Sequence, residues 1–434
     1  MKDRSADPLI DVSQLKVGMF IHLDLGWMSH PFPLSSFKLS SEEQLLILRR
    51  LGLKQVRWSP GKSDLPLDAT PMPPPATAPA VVAADAPQSA EDEARERHRR
   101  LLAEQRDALL LCERQYAEAA TALRDLMDLV PREPIDARDR SAALSRALLD
   151  KMLVEGDINI RLLNEGAGDR GTAHALNVAV IAMLLGRAFG LGRDEMLDLG
   201  QGALLHDIGK MELTPRFRHR DDSFTAAEVA AYQQHVAKGV MLGQKMNVSA
   251  GPLLIIAQHH EHADGSGFPQ RLNADRMSIG ARIVALVNRF DGLCNPLLPS
   301  KAMTPHEALS LMFAQGRSRF DATMLNAFIR MMGVYPPGSA VQLTDDRYAL
   351  VVAVNSSRPL KPKVMVHDPK VARDEALVLN LEELPDLGIR RSVKPQQLPR
   401  ASLDYLSPRS RIAYFFESAG PTGLPSESSG EMAA

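Results

Sequence analysis

Five histidines on successive apolar helices limit the fold more than any other feature of the sequence. The chain has 12 histidines, and the five concerned are His174, His206, His235, His259 and His260. Asp207 directly follows His206. Taken singly, His174 fits a satisfied core histidine better than a ligand. Taken together, several imidazoles and a carboxylate in an apolar bundle would lose hydration without compensation. A bound cation removes that cost, and this ligand mixture suits iron, manganese or zinc, with an aspartate able to bridge two metals.

The chain around this bundle is divided by composition. Residues 1–58 predict a small α+β domain: a strand from Leu15 to Ile21 with a turn at Gly18, a helix from Gln44 to Leu51, and a strand from Gln55 to Trp58. Ser40 as N-cap with Glu43 is typical of a capping box. Residues 59–90 are rich in proline and alanine, which predicts a linker.

Residues 91–139 predict a long charged helix, since opposite charges recur at helical spacing. Leu102, Leu109 and Tyr116 form an apolar stripe at roughly coiled-coil spacing. The helix could pack on the next domain, or it could form a dimer or relay a signal.

Residues 140–338 predict a domain made only of helices, because amphipathic segments follow one another with little strand alternation. The predicted helices are Ser141–Val154, Thr172–Phe189, Arg193–His206, Thr225–Lys245, Pro252–His260, Gly280–Leu293, Thr304–Gln315 and Asp321–Met332. Residues 339–417 predict a small β-rich unit with strands at Ala340–Thr344, Tyr348–Val354 and Lys363–Val366, and 418–434 a disordered tail. The fold class is therefore multidomain and mainly α.

Composition excludes several classes of function. The 434 residues are 45% hydrophobic with a net charge of −2, which allows a sizeable core and gives no case for DNA, RNA or membrane partners. Cys112 and Cys294 lie far apart, so neither a disulfide framework nor a thiolate metal site is expected. The N-terminus has no signal-peptide core, and the apolar run Val178–Leu185 is too short to cross a bilayer. We expect a cytoplasmic protein.

Two motifs resemble the HD-GYP family, a branch of the HD-domain metal-dependent phosphohydrolases. The first is His206-Asp207-Ile208-Gly209-Lys210, and the second runs from His259 to Pro269 as HHEHADGSGFP. The second is similar to the family signature HHE-x-x-DGxGYP, with Phe268 in place of tyrosine. The resemblance covers about residues 140 to 335, and residues 10 to 58 resemble the small domain often found ahead of bacterial HD-GYP domains.

The resemblance implies an all-helical domain that holds two or three divalent metal ions, commonly iron or manganese, and hydrolyses cyclic di-GMP. The positions matching metal ligands are His174, His206, Asp207, His235, His259, His260 and Asn288, with Glu155 for a third metal. Asp207 and Lys210 match catalytic positions, Lys210 beside the scissile phosphate. The loop residues Asp264, Gly265, Gly267, Phe268 and Pro269 either anchor the loop or recognise other signalling proteins.

Two departures from the family lie at this site. Asn288 stands where the family has its last metal-binding aspartate, so one negative charge is missing. Residues 297–300 replace an Arg-Pro-Tyr-Arg segment, which leaves Lys210, Arg271 and Lys301 as candidates for binding substrate. Asp291, one turn after Asn288, is expected to have its own role at the helix end.

Three functional hypotheses follow. The first is an active phosphodiesterase that linearises cyclic di-GMP to pGpG and perhaps onward to GMP. The second is a catalytically impaired module that keeps metal or nucleotide and acts in regulation, which Asn288 and the lost arginines favour. The third is a phosphohydrolase of another nucleotide or phosphoester.

Overall fold

The computed structural model describes residues 7–25, 30, 32, 36–64, 90–153, 157–163, 169–316, 318–356 and 358–418. The chain folds into two compact units, residues 1–97 and 98–434. The architecture is mainly α, with one antiparallel sheet in each unit.

The first unit is a four-stranded sheet with one helix. Its elements are β1 (Leu9–Asp11), β2 (Phe20–His22), β3 (Ser36–Lys38), α1 (Glu42–Arg50) and β4 (Gln55–Trp58), and the strand order is β1-β4-β2-β3. Gly18 has a φ of +96°, which agrees with the predicted turn. The prediction of Ser40 as N-cap was wrong. Ser41 caps α1 by accepting from the Gln44 amide at 3.3 Å, because Ser41 and Gln44 are also spaced as a capping box.

The predicted charged segment contains one long helix and the start of another. Helix α2 runs from Ala90 to Leu129, and α3 runs from Pro134 to Met152 instead of beginning at Ser141. Proline lacks an amide hydrogen and fits the first turn, so Pro134 can open α3 without loss of a hydrogen bond. Within the second unit, Cys112 and Tyr116 are buried, which supports packing on the neighbouring domain. A dimer through α2 stays a prediction.

Seven further helices form the bundle that carries the histidines. They are α4 (Arg170–Ala188), α5 (Arg193–Leu205), α6 (Ala226–Lys245), α7 (Ala250–Gln258), α8 (Ile279–Cys294), α9 (Pro305–Gln315) and α10 (Ala322–Met332), each within two residues of its predicted bounds. Helix α4 is long and apolar enough to cross a bilayer by length and composition, and most of it is buried inside the bundle.

The second sheet joins the bundle to the C-terminal strands. It contains β5 (Ile158–Leu162), β6 (Ala340–Leu343), β7 (Tyr348–Asn355), β8 (Lys363–Val366), β9 (Val378–Asn380), β10 (Ile389–Val393) and β11 (Tyr414–Ser418), with α11 (Arg400–Leu406) before the last strand. The order is β10-β6-β7-β5-β11, and β8 and β9 extend from β7.

The prediction that 140–338 contains only helices was wrong at β5. All five residues of this strand are buried, so it lacks the alternation that marks a half-exposed strand. Its partners, β7 and β11, lie far along the chain. The predicted disordered tail begins at the last residue of β11, and 419–434 lie outside the described residues.

Candidate metal centre

Three of the histidines are oriented by their own helices. His206 and His259 are the C-caps of α5 and α7, and His235 lies within α6. The Nδ1 atoms of these three rings lie 2.6 to 2.8 Å from the backbone oxygens of Ala203, Tyr232 and Ile256, each three residues earlier. A hydrogen on Nδ1 donated to a carbonyl leaves Nε2 as a lone-pair donor, so all three rings present a ligand atom.

The ligand atoms form two groups that share Asp207. One group contains His174, His206 and Asp207, and the other contains Asp207, His235, His259 and His260, with the ligand atoms of each group within 4.8 Å of one another. Asp207 Oδ2 lies 3.5 Å from the Nε2 atoms of His174 and His206. Asp207 Oδ1 lies 3.6 Å from His235 Nε2 and 3.7 Å from His259 Nε2. The two carboxylate oxygens therefore face different groups.

Burial favours the neutral form, which metals require, at three of these histidines. It lowers the pKa of His206 and His260, and lowers that of His235 to about 3. Burial alone would raise the pKa of Asp207, but the neighbouring Lys210 and His206 outweigh it and hold that pKa well below its usual range. Neutral imidazoles beside a carboxylate are the forms that ligate divalent ions.

One further observation indicates that these ligand atoms suit a cation. Asp207 Oδ1 is buried and, within the described ranges, has no hydrogen-bond partner. An unpaired buried carboxylate oxygen is costly. A positive ion between Asp207, His235 and His259 would compensate it.

His174 is oriented differently from the other histidines. Its Nδ1 lies 2.5 Å from Oδ2 of Asp291, which is 1% exposed, and its Nε2 lies 3.2 Å from His206 Nε2. A carboxylate on the far nitrogen of a metal-binding histidine fixes the ring and raises its basicity. The structure thus places Asp291 against His174, whereas the sequence predicted only a role at the end of α8.

The signature loop holds the second histidine of its pair. The ring of Phe268 stacks on His260 with 4.5 Å between centroids. The buried carboxylate of Glu261 accepts from the amides of Gln270 at 2.6 Å and Leu272 at 2.9 Å. A Cβ on Gly267 would lie 2.5 Å from the His260 oxygen, so glycine is needed for the close turn. These contacts support the anchoring role of the loop, and partner recognition stays a prediction.

The short 3-10 helix Ile208–Glu212, which directly follows His206 and Asp207, packs against α6. A Cβ on Gly209 would lie 1.9 Å from the backbone oxygen of His235 and 2.4 Å from the amide of Gly239. Lys210 Nζ lies 2.5 Å from Asp207 Oδ2, so its positive charge lies at the cluster.

The remaining predicted site residues do not join the cluster through described contacts. Glu155 lies outside the described residues. Asn288 is half-buried within α8 and is not among the side chains of the two ligand groups. Arg271 is exposed with a φ of +56°, and the exposed Lys301 pairs with Asp222 at 2.7 Å. Their roles in binding metal or substrate stay predictions.

Two residues near the cluster were not predicted from the sequence. Tyr232 Oη lies 3.4 Å from His260 Nε2, and its ring lies 5.7 Å from Lys210 Nζ. Its position three residues before His235 places it on the same helix face, a signal that could have identified it. Burial and the positive Arg170 and Lys210 lower the pKa of His219 to about 4, which places this ring near the same charges. We know of no sequence pattern that points to His219.

Comparisons with known proteins agree with this geometry. Residues 9–138 match the family described as a domain of unknown function, DUF3391, and residues 158–324 match the HD domain. The cyclic di-GMP phosphodiesterase PA4108 of Pseudomonas aeruginosa is 29% identical over 82% of this chain and 84% of its own length.

Two further matches are shorter. The cyclic di-GMP phosphodiesterase response regulator RpfG of Xanthomonas campestris is 30% identical over 37% of this chain and 44% of its own length. The 3'3'-cGAMP-specific phosphodiesterase 2 of Vibrio cholerae is 36% identical over 36% of this chain and 30% of its own length. The chain thus spans most of the first relative and less than half of the other two.

Proposed function

This chain belongs to the HD-domain family, in its HD-GYP branch with a DUF3391 domain ahead, and we propose that it is a metal-dependent phosphodiesterase of cyclic di-GMP. The observation that carries the proposal is the pair of ligand groups sharing Asp207. Two ions that share a carboxylate suit the displacement of one phosphate oxygen by another. The name of the relative matched over most of its length supports the substrate.

Two divalent ions, iron or manganese, are the proposed cofactors. The first would be held by His174, His206 and Asp207, and the second by Asp207, His235, His259 and His260. Imidazole and carboxylate ligands suit these metals. When bound, such ions make a hydroxide available near neutral pH and polarise a phosphodiester oxygen. A third ion at Glu155 stays a prediction.

Lys210 is the proposed catalytic cation of the chain. Its Nζ lies at the shared carboxylate and above the face of Tyr232, so its position is fixed from two sides. Charge that builds on the phosphoryl oxygens would be stabilised by a cation already in place. Arg271 and Lys301 are proposed as weaker contributors to substrate binding because they are exposed.

A second candidate function rests on Asn288. This residue lies one turn before Asp291 on α8, so the two share one side of the helix, and Asp291 contacts His174. An amide there supplies no charge, which would weaken one ion and favour a regulatory module that binds metal or nucleotide without turnover. A relative whose name is specific for 3'3'-cGAMP makes that nucleotide the alternative substrate to test.

Metal content and turnover separate these functions. The protein is purified without oxygen, iron and manganese are counted per chain, and hydrolysis of cyclic di-GMP and 3'3'-cGAMP is followed side by side. We expect about two ions per chain and turnover of cyclic di-GMP that His206→Ala abolishes. His306→Ala is the matched control, since the half-buried His306 contacts the Val334 oxygen and the Tyr335 ring and is not part of either ligand group. Turnover that appears only in Asn288→Asp would favour the regulatory module.

Three further proposals concern partners and location. Leu101 and Leu110 of α2 are 46% and 62% exposed, which supports a homodimer through this helix. The exposed Asp264, Ser266 and Pro269 support contacts with other signalling proteins through the loop. The two cysteines are free and buried, which supports a reducing cytoplasm. Sedimentation velocity of Leu110→Glu tests the first, and a dimer unaffected by that change would contradict it.

A further inference from the structure

The carboxylate behind His174 is part of a buried polar network. Asp291 Oδ1 accepts from Asn177 Nδ2 at 2.7 Å and from Asn295 Nδ2 at 2.9 Å, while Oδ2 faces His174. Both oxygens are therefore used, and the charge is held by three donors. A buried carboxylate needs such partners, and the position of each donor limits where the carboxylate can lie.

Each asparagine is also bonded to the chain ahead of β11. Asn177 Nδ2 donates to the Ile412 oxygen at 2.9 Å, and its Oδ1 accepts from the Tyr414 amide at 2.8 Å. Asn295 Nδ2 donates to the same Ile412 oxygen at 2.9 Å, and its Oδ1 accepts from the Ile412 amide at 2.8 Å. Because backbone amides only donate, they fix which end of each asparagine faces Asp291.

Strand β11 is itself held on two sides. It pairs with β5 along its whole length, and the buried Tyr414 donates its hydroxyl to the Pro337 oxygen at 3.0 Å. On the other side, the ring of Tyr116 on α2 lies 5.9 Å from that of Phe415, edge to face. The strand thus lies between α2 and the polar network.

We propose that the C-terminal segment Ile412–Tyr414 is a structural part of the metal centre. Its backbone positions Asn177 and Asn295, these hold Asp291, and Asp291 fixes the ring of His174. The two asparagines and the strand are positioning elements that set the metal affinity of the His174 group. This inference concerns the metal centre and holds whichever phosphodiester is the substrate.

Titration of the metal-free full-length protein with Mn²⁺ alone tests the proposal. Asn177→Ser and Asn295→Ser remove the amides, and we expect the Mn²⁺ Kd of one site to rise roughly 10- to 100-fold, as loss of a partner behind a ligand does. The other site should change little. The visible spectrum of the Co²⁺-loaded protein should also change, because a freed His174 ring alters the ligand field.

The matched control is Asn159→Ser. Asn159 is 1% exposed on β5 and donates to Glu417 of β11 at 3.4 Å, so it contacts the same strand but not Asp291. We expect a fall in melting temperature and an unchanged Mn²⁺ Kd. Wild-type Mn²⁺ affinity in Asn177→Ser and Asn295→Ser overturns the proposal, as does an equal loss of affinity in Asn159→Ser. If Asn177→Ser fails to fold, the half-buried Asn295 decides, and unfolding of both variants in excess Mn²⁺ would show a purely structural role.

Discussion

His174 is oriented by other means than three of the histidines that share the metal centre with it. His206, His235 and His259 each contact a backbone oxygen three residues earlier, so one turn of helix fixes the ring. His174 contacts Asp291 on another helix, and Asp291 depends in turn on residues that reach the last strand. Local contacts form as soon as the helix forms, whereas the His174 contact requires the complete fold. The His235 group should therefore tolerate distant changes that damage the His174 group.

Asp207→Asn should have the largest effect, because it removes the charge that both groups share. We expect both ions to be lost and the loss of turnover to exceed the roughly 100-fold typical for a residue behind a ligand. Metal counting and hydrolysis assays check this, with His306→Ala as control. One ion retained at full affinity would mean that the carboxylate does not bridge.

Gly209→Ala tests the close packing of the 3-10 helix Ile208–Glu212 against α6, which carries His235. The new Cβ would overlap the backbone of His235 and Gly239, which cannot move like a side chain. We expect a loss of about 3 kcal/mol or more in the free energy of unfolding, measured in urea. Gly292→Ala on α8 is the control, since its Cβ meets open space and should stabilise by about 0.5–1 kcal/mol. Equal stability of the two variants would contradict the close approach.

Asp291→Asn should weaken metal binding at the His174 group alone. The amide cannot accept from all three donors, so the His174 ring loses its partner. We expect a roughly 10- to 100-fold weaker Mn²⁺ Kd at one site, with the second site retained. Calorimetric titration resolves the two sites. Equal weakening of both would show that the groups are not independent.

Replacing Lys151 should change the free energy of unfolding and leave both ligand groups unaffected. Burial lowers its pKa to about 7, so the charged form is disfavoured in the folded chain. Folding is penalised fully below pH 7, and the penalty is relieved as pH rises towards the unfolded value near 10.5. Lys151→Met should gain about 1–3 kcal/mol at pH 6, less at pH 9, and leave Mn²⁺ affinity unchanged. Urea unfolding at the two pH values checks this, and a gain that does not vary with pH would refute it.

Much of the bundle could be predicted because its signals are local. Helices α4 to α10 follow the apolar spacing and the caps, such as Thr225 and Thr304, that mark their first turns. The same local logic places His206 and His259 at helix ends. Whether these residues bind metal stays a prediction, but the sequence was sufficient to name every side chain in the two ligand groups.

The interior sheet and the contacts of Asp291 could not be predicted in this way. Strand β5 is buried at every position, and strand β11 is not among the strands predicted for 339–417. Asp291 was given a role at the helix end without its partner, because His174 lies 117 positions away. Neither feature leaves a periodic pattern in the sequence.

The sequence by itself determined the helices, the donor chemistry and the missing charge at Asn288, since these depend on residue type and on spacing within a few turns. Only the tertiary structure decided that Asp207 faces two groups, that Asn177 and Asn295 connect Asp291 to Ile412, and that β5 lies between β7 and β11. The physical reason is the distance along the sequence between the residues that form each bond. A hydrogen bond to a carbonyl three residues earlier is set by helix geometry, while a bond between residues more than a hundred positions apart exists only after packing brings them together.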